Sequence, residues 1–173
     1  MSNKYVRYTT PVGTARFPKL NEPDTFKGKT AYKVDLIITE EEANSITQKL
    51  EAEFPDLMAR GINTPIQQTR NGKDDDAPMV WILRAKSGQT DRPMRMLDCN
   101  PKSNGGPRLI TANVGSGSRI RLSVSFASNH EDWISAYLNS VQVVELAEMG
   151  SDFDDIEGGF VDDSIEAVNG DFV

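Results

Sequence analysis

From Arg119 to Phe126 the side chains alternate without a break: Ile120, Leu122, Val124 and Phe126 fall on one side, and Arg119, Arg121, Ser123 and Ser125 on the other. A sustained period of two describes a β-strand with one face in a core and one in water, and a helix cannot hold it. Thr30 to Ile38 repeats the pattern, with Tyr32, Val34, Leu36 and Ile38 set against Lys33 and Asp35. Further β-like runs are Tyr5 to Phe17, broken by Pro11 and Gly13, then Met79 to Lys86, Pro93 to Asp98, Arg108 to Val114, Ser118 to Ser128 and Trp133 to Leu146. In the last run the apolar parity fails at Asn139-Ser140, which predicts a bulge. Pro18 to Lys29 and Asn63 to Pro78 carry Pro, Gly and clustered charge and read as loops, the second as a loop or hairpin tip.

One stretch has the other period. Thr39 followed by Glu42 forms a capping box, and Glu40 to Glu42 suit the positive end of a helix dipole. Ala43, Ile46, Leu50 and Phe54 then recur at three and four residues, giving a helix with one apolar stripe that ends near Pro55. Seven short strands and one helix predict a mainly β protein built on an antiparallel barrel. Among small barrels the OB-fold, a five-stranded Greek-key barrel here carrying extra strands, is the one most often built for oligonucleotides.

At 173 residues and 38% hydrophobic content the chain suits one folded domain, expected over residues 1 to 150. The start, MSNKYVRYTT, lacks the apolar stretch of a signal peptide, and no run is apolar enough to span a membrane, so a cytoplasmic protein is expected. The single cysteine, Cys99, reads as a small buried thiol, and with His130 the single histidine neither a zinc site nor a catalytic triad is expected. Asp74-Asp75-Asp76 and Asp154-Asp155 fit solvated charge better than magnesium ligands. The expectation is a non-enzymatic protein without cofactor or metal.

The net charge of −7 argues at first against a nucleic-acid partner, but its placement reverses the argument. Of 26 acidic residues, Asp152, Asp154, Asp155, Glu157, Asp162, Asp163, Glu166 and Asp171 lie between Ser151 and Val173, where there is no lysine or arginine. The first 150 residues therefore hold 18 acidic and 19 basic side chains, a net +1, and the last stretch holds −8. Residues 151 to 173 read as a disordered acidic tail, and its spaced apolar residues, ending in Phe172, suit partner binding.

Three patches together resemble the replicative single-stranded DNA-binding proteins of short-tailed bacteriophages: Gly13-Thr14-Ala15 followed by Tyr32-Lys33-Val34-Asp35-Leu36; Val144-Glu145-Leu146-Ala147 with Met149-Gly150; and the acidic tail ending in Gly170-Asp171-Phe172. The resemblance implies an OB-fold that coats single-stranded DNA in phage replication, recombination and repair. It also implies a homodimer, and a tail that competes with DNA and contacts the phage DNA polymerase and primase-helicase. The chain departs from the family in placing Val173 after Phe172. By position, Lys29, Arg119 and Arg121 match basic residues of the family's DNA-contacting strands.

Coating a strand needs cations for phosphates and aromatic faces for bases. The basic candidates are Lys27, Lys29, Lys33, Arg84, Lys86, Arg92, Arg95, Arg119 and Arg121. Among the aromatics Tyr5, Tyr8, Tyr32, Trp81, Phe126, Trp133 and Tyr137, the parity of Tyr32 and Phe126 places them in the core. Trp133, beside a polar loop, is the best platform, with Trp81 and Tyr137 as further candidates. The tail candidates are Asp152, Asp154, Asp155, Glu157, Asp162, Asp163, Asp171 and Phe172. The rival reading is an acidic protein-interaction module or DNA mimic acting through that tail.

Overall fold

A computed structural model describes residues 4–130 and 133–147. Eight strands form one sheet: β1 (Tyr5–Thr9), β2 (Gly13–Phe26), β3 (Lys29–Ile38), β4 (Ile66–Arg70), β5 (Met79–Ser87), β6 (Met96–Leu97), β7 (Arg119–His130) and β8 (Trp133–Glu145). The helix α1 (Glu40–Glu53) runs into a short α2 (Pro55–Ala59). Pairing proceeds β7-β2-β3-β5-β8, and β8 returns to β7, so five strands close on themselves. β1 adds to β7, β4 to β5 and β6 to β8, which makes the expected OB-type barrel with extra strands. All pairings are antiparallel except β5–β8 and β6–β8.

The alternation seen in the sequence fills the barrel. Ile120, Leu122, Val124 and Phe126 of β7 are fully buried, as is Leu36, and Tyr32, Val34 and Ile38 of β3 are nearly so. α1 lays its stripe of Ala43, Ile46 and Leu50 into the same core and packs against β4 and β5. Burying Ile46 and Leu50 contributes about 1.5–3 kcal/mol each before entropy is counted. The capping box forms as read, the Thr39 hydroxyl accepting from the Glu42 amide at 3.1 Å and Glu42 accepting from the Thr39 amide at 2.9 Å. Ser123 faces Ser140 and Val124 faces Leu138, which leaves Asn139 as the extra residue of the expected bulge.

Several expectations are corrected. Tyr5 to Phe17 is two strands, and the loop expected over Pro18 to Lys29 is the outer half of β2. Two register shifts in β2 accommodate Pro18 and Pro23, and the hairpin then closes on Lys27 and Gly28 alone, at φ 52° and 77°. Positive φ at both residues marks the turn whose twist suits paired strands. Asn63 to Pro78 contains strand β4, so residues 71 to 78 are the hairpin tip and residues 63 to 65 lead into the ladder. Pro93 to Asp98 pairs solely at Met96–Leu97, and Arg108 to Val114 is irregular, held by the Leu97–Leu109 bridge and by Asn21, whose side chain bonds Ala112 O and Val114 N. Cys99 is exposed, its Sγ directed at the Val143 carbonyl at 3.4 Å, because residues 98 to 108 form an outer loop and not a barrel strand. The acidic tail lies outside the described residues.

Candidate nucleic-acid interface

Register decides which outward side chains become neighbours. Across β1, β7, β8, β5 and β3 one row reads Arg7, Ser125, Tyr137, Lys86, Lys33, each opposite the next. Four strand spacings make this row about 19 Å long, and it crosses the strands at right angles. In the next row Tyr5 faces Ala127 and Ala127 faces Ser135, while Arg84 faces Asp35 and Asp35 faces Arg16. Strand parity thus puts Arg7 at one end of this face and Lys86 with Lys33 at the other, with the Tyr137 ring between them.

Hollows follow this face. One, of about 440 Å³, is lined by Asn63, Gln67, Arg84, Lys86, Trp133 and Ser135. Another, of about 330 Å³, shares Arg84 and Lys86 and adds Phe17, Lys33 and Asp35, so the two hollows adjoin at those side chains and are taken together as a trough. Trp133 stands 41% exposed at its rim, where the bridge to Asn63 holds it. Past Tyr137 a cleft of about 300 Å³ is lined by Arg7, Arg92 and Arg95, and none of these three has a carboxylate partner among the described residues. Tyr5 and Tyr137 wall the adjoining hollow with ring centroids 6.4 Å apart.

Among the described residues, the one carboxylate set into the trough is neutralised. Asp35 is buried and accepts from Arg16 Nη1 at 3.2 Å and from Arg84 Nε at 3.0 Å, so the trio carries a net positive charge. Arg84 remains 53% exposed at its side chain and can meet a phosphate while tied to Asp35. Lys33 bonds Asp24 at 2.6 Å, and this hydrogen bond holds the Asp24 carboxyl below its usual range. Such a surface pair is worth little and yields readily to a polyanion.

Not every candidate residue shares this face. Lys33, Arg84, Lys86, Trp133 and Tyr137 come together, with Arg92 and Arg95 in the adjoining cleft. Lys27 and Lys29 sit at the tip of the β2–β3 hairpin, where Lys27 Nζ lies 5.4 Å from the centre of the exposed Phe26 ring. Trp81 is opposite Ile38, on the core side of β5, and packs half-buried against the core. Arg119 and Arg121 lie at the far end of β7, bonded to Thr14 and Gln142. The face includes two residues that sequence reasoning passed over. Arg7 was legible from the alternation Tyr5, Arg7, Thr9, whereas Phe17 gave no signal, since its exposure follows from a backbone irregularity.

No family model and no curated protein matches the sequence. Solved structures do match it. The single-stranded DNA-binding protein gp2.5 of bacteriophage T7 superposes with a TM-score of 0.58 at 18% identity, over 92% of this chain and 100% of the solved gp2.5 chain. The chain has the fold of phage single-stranded DNA-binding proteins. The single-stranded DNA-binding protein of bacteriophage Enc34, truncated at its C-terminus, gives 0.57 at 14% identity, over 82% of this chain and 87% of that one. The Enc34 protein in complex with single-stranded DNA gives 0.54 at 15% identity, over 82% and 88%.

Proposed function

We propose that the protein coats single-stranded DNA without sequence preference, the strand crossing β1, β7, β8, β5 and β3 on the outer face of the barrel. The observation that carries this reading is the register row with its flanking rings: Arg7, Lys86 and Lys33 for phosphates, Tyr5, Tyr137 and Trp133 for bases. The common fold with phage proteins that bind single strands supports it. Lys and Arg against phosphate supply affinity, and rings accept any base because every base has a π face.

The reading extends to the phage replication, recombination and repair roles implied by the sequence resemblance, in the host cytoplasm and as a homodimer. Residues 1 to 150 form the binding domain, and residues 151 to 173 compete with DNA and recruit the DNA polymerase and primase-helicase. Titration of the protein with oligo-dT at two salt concentrations, read by tryptophan fluorescence, tests the central claim. Quenching that saturates and weakens with salt is expected. An acidic DNA mimic would leave the fluorescence unchanged.

A further inference from the structure

Phe17 combines features that folding alone does not reward. Its φ is 50°, in the left-handed region that bulky residues avoid. It also precedes Pro18, and a residue before proline is driven towards extended backbone. The ring is not buried in return: Phe17 is 63% exposed. Strain of this kind persists where surrounding structure imposes it, and it concentrates at functional positions.

The surroundings do impose it. The Phe17 amide donates to Ser116 Oγ at 3.3 Å, and the adjacent register shift in β2 turns the side chain outward over the sheet. Under the ring lies the Arg16 guanidinium, its central carbon 4.5 Å from the ring centre. Arg16 cannot follow a ligand, because Asp35 and the Arg70 carbonyl fix it, and its Nε is buried without a hydrogen-bond partner. Beside this ring the trough is lined by Lys33, Arg84 and Lys86.

We infer that Phe17 is a preset stacking platform for a nucleobase at the β2 end of the trough, held outward by strained backbone before DNA arrives. The inference rests on the proposed single-strand binding and deepens it. Bases run from Trp133 past Lys86 and Lys33 to Phe17, and Arg16 polarises the ring from beneath. Because the backbone fixes the ring beforehand, little side-chain freedom is lost on stacking.

The test compares the full-length protein with Phe17→Asn and, as a ring-retaining control, Phe17→Tyr. Asparagine tolerates the left-handed region, so Phe17→Asn is expected to keep or raise Tm while weakening oligo-dT binding roughly 5- to 150-fold. Binding to an abasic oligonucleotide of equal length, which offers phosphates but no bases, should stay within about two-fold of the parent, and Phe17→Tyr should bind oligo-dT normally. Unchanged oligo-dT affinity in Phe17→Asn, an equal loss on both oligonucleotides, or a Tm fall of several degrees would each overturn the platform. Failure of the parent to bind either oligonucleotide would instead overturn the single-strand reading itself.

Discussion

At the scale of single residues, the cations divide into those the sheet gathers and those it leaves apart. Lys86 sits inside the register row, opposite both Lys33 and Tyr137. Arg121, an equally good candidate by composition, is bonded to Gln142 several residues along β8 from Tyr137. Lys86→Ala should therefore weaken oligo-dT binding several-fold and reduce the log-log salt slope by about 0.7, the release of one counterion on a single strand. Arg121→Ala should change affinity less than about two-fold. Equilibrium binding over a salt series checks both, and equal effects would remove the distinction drawn from register. The contrast also shows how much of the site the sequence carried. Residue type and parity place Lys33, Arg84 and Lys86 on the outward face, because period two alone sends a side chain outward, and the polar loop beside Trp133 singled out that ring. Parity does not say which outward residues lie side by side on different strands, and that is set by register and barrel closure.

Asp98 illustrates a residue whose charge holds a loop and not a ligand. It accepts from the Arg108 and Asn100 amides and from Arg108 Nε at 2.9 Å, and these bonds, the amide of Arg108 foremost, keep its carboxyl below the usual range. A depressed folded value means that the loop's contribution is complete above the unfolded carboxylate range and fades as pH falls through the folded one. Asp98→Asn should flatten this acid-side dependence of Tm while leaving DNA affinity near neutral pH unchanged, as thermal melts from pH 7 down to pH 3 would reveal.

Among the elements, α1 was the plainest to read and β2 the hardest. Both signals for α1 are local: a cap that satisfies end amides, and a stripe at helical spacing that finds the barrel core. Thr39→Ala removes the cap acceptor and should cost about 1 kcal/mol, a Tm fall of about 2–4 °C for a chain of this size. β2 conceals its continuity because Pro18 and Pro23 interrupt the pattern, and the strand survives them by shifting register against β3. Arg108 to Val114 misled in the opposite direction, since its β-like residues are held by Asn21 and one bridge without a ladder. Where β2 enters the barrel, Gly13 is required by space: a Cβ there would stand 2.4 Å from the Ile37 carbonyl and 2.8 Å from the Leu36 side chain. Gly13→Ala should destabilise by about 2 kcal/mol or more, since both obstacles belong to the barrel wall. Urea melts would measure it, and a loss below about 0.5 kcal/mol would show that β2 can slide away from β3.

On the scale of the whole molecule, the charge is separated along the chain, and the proposed function uses that separation. The first 150 residues are almost neutral at +1, and a near-neutral body binds a polyanion only if its cations are gathered, as the row from Arg7 to Lys33 gathers them. On the reading proposed above, the remaining −8, tethered to that body, competes for the same cations at high effective concentration. Deleting residues 151 to 173 should then tighten oligo-dT binding most at low salt, where the tail is least screened, and the gain should shrink towards high salt as the Debye length falls from about 30 Å at 0.01 M to about 3 Å at 1 M. With about 4–6 phosphates neutralised, the tail-less protein should show a slope near −3 to −4. The full-length slope should be shallower, because salt weakens the internal competitor together with the DNA. If truncation raises affinity equally at all salt concentrations, the tail acts by occupying space and not by charge; if affinity is unchanged, the acidic segment serves its partners alone.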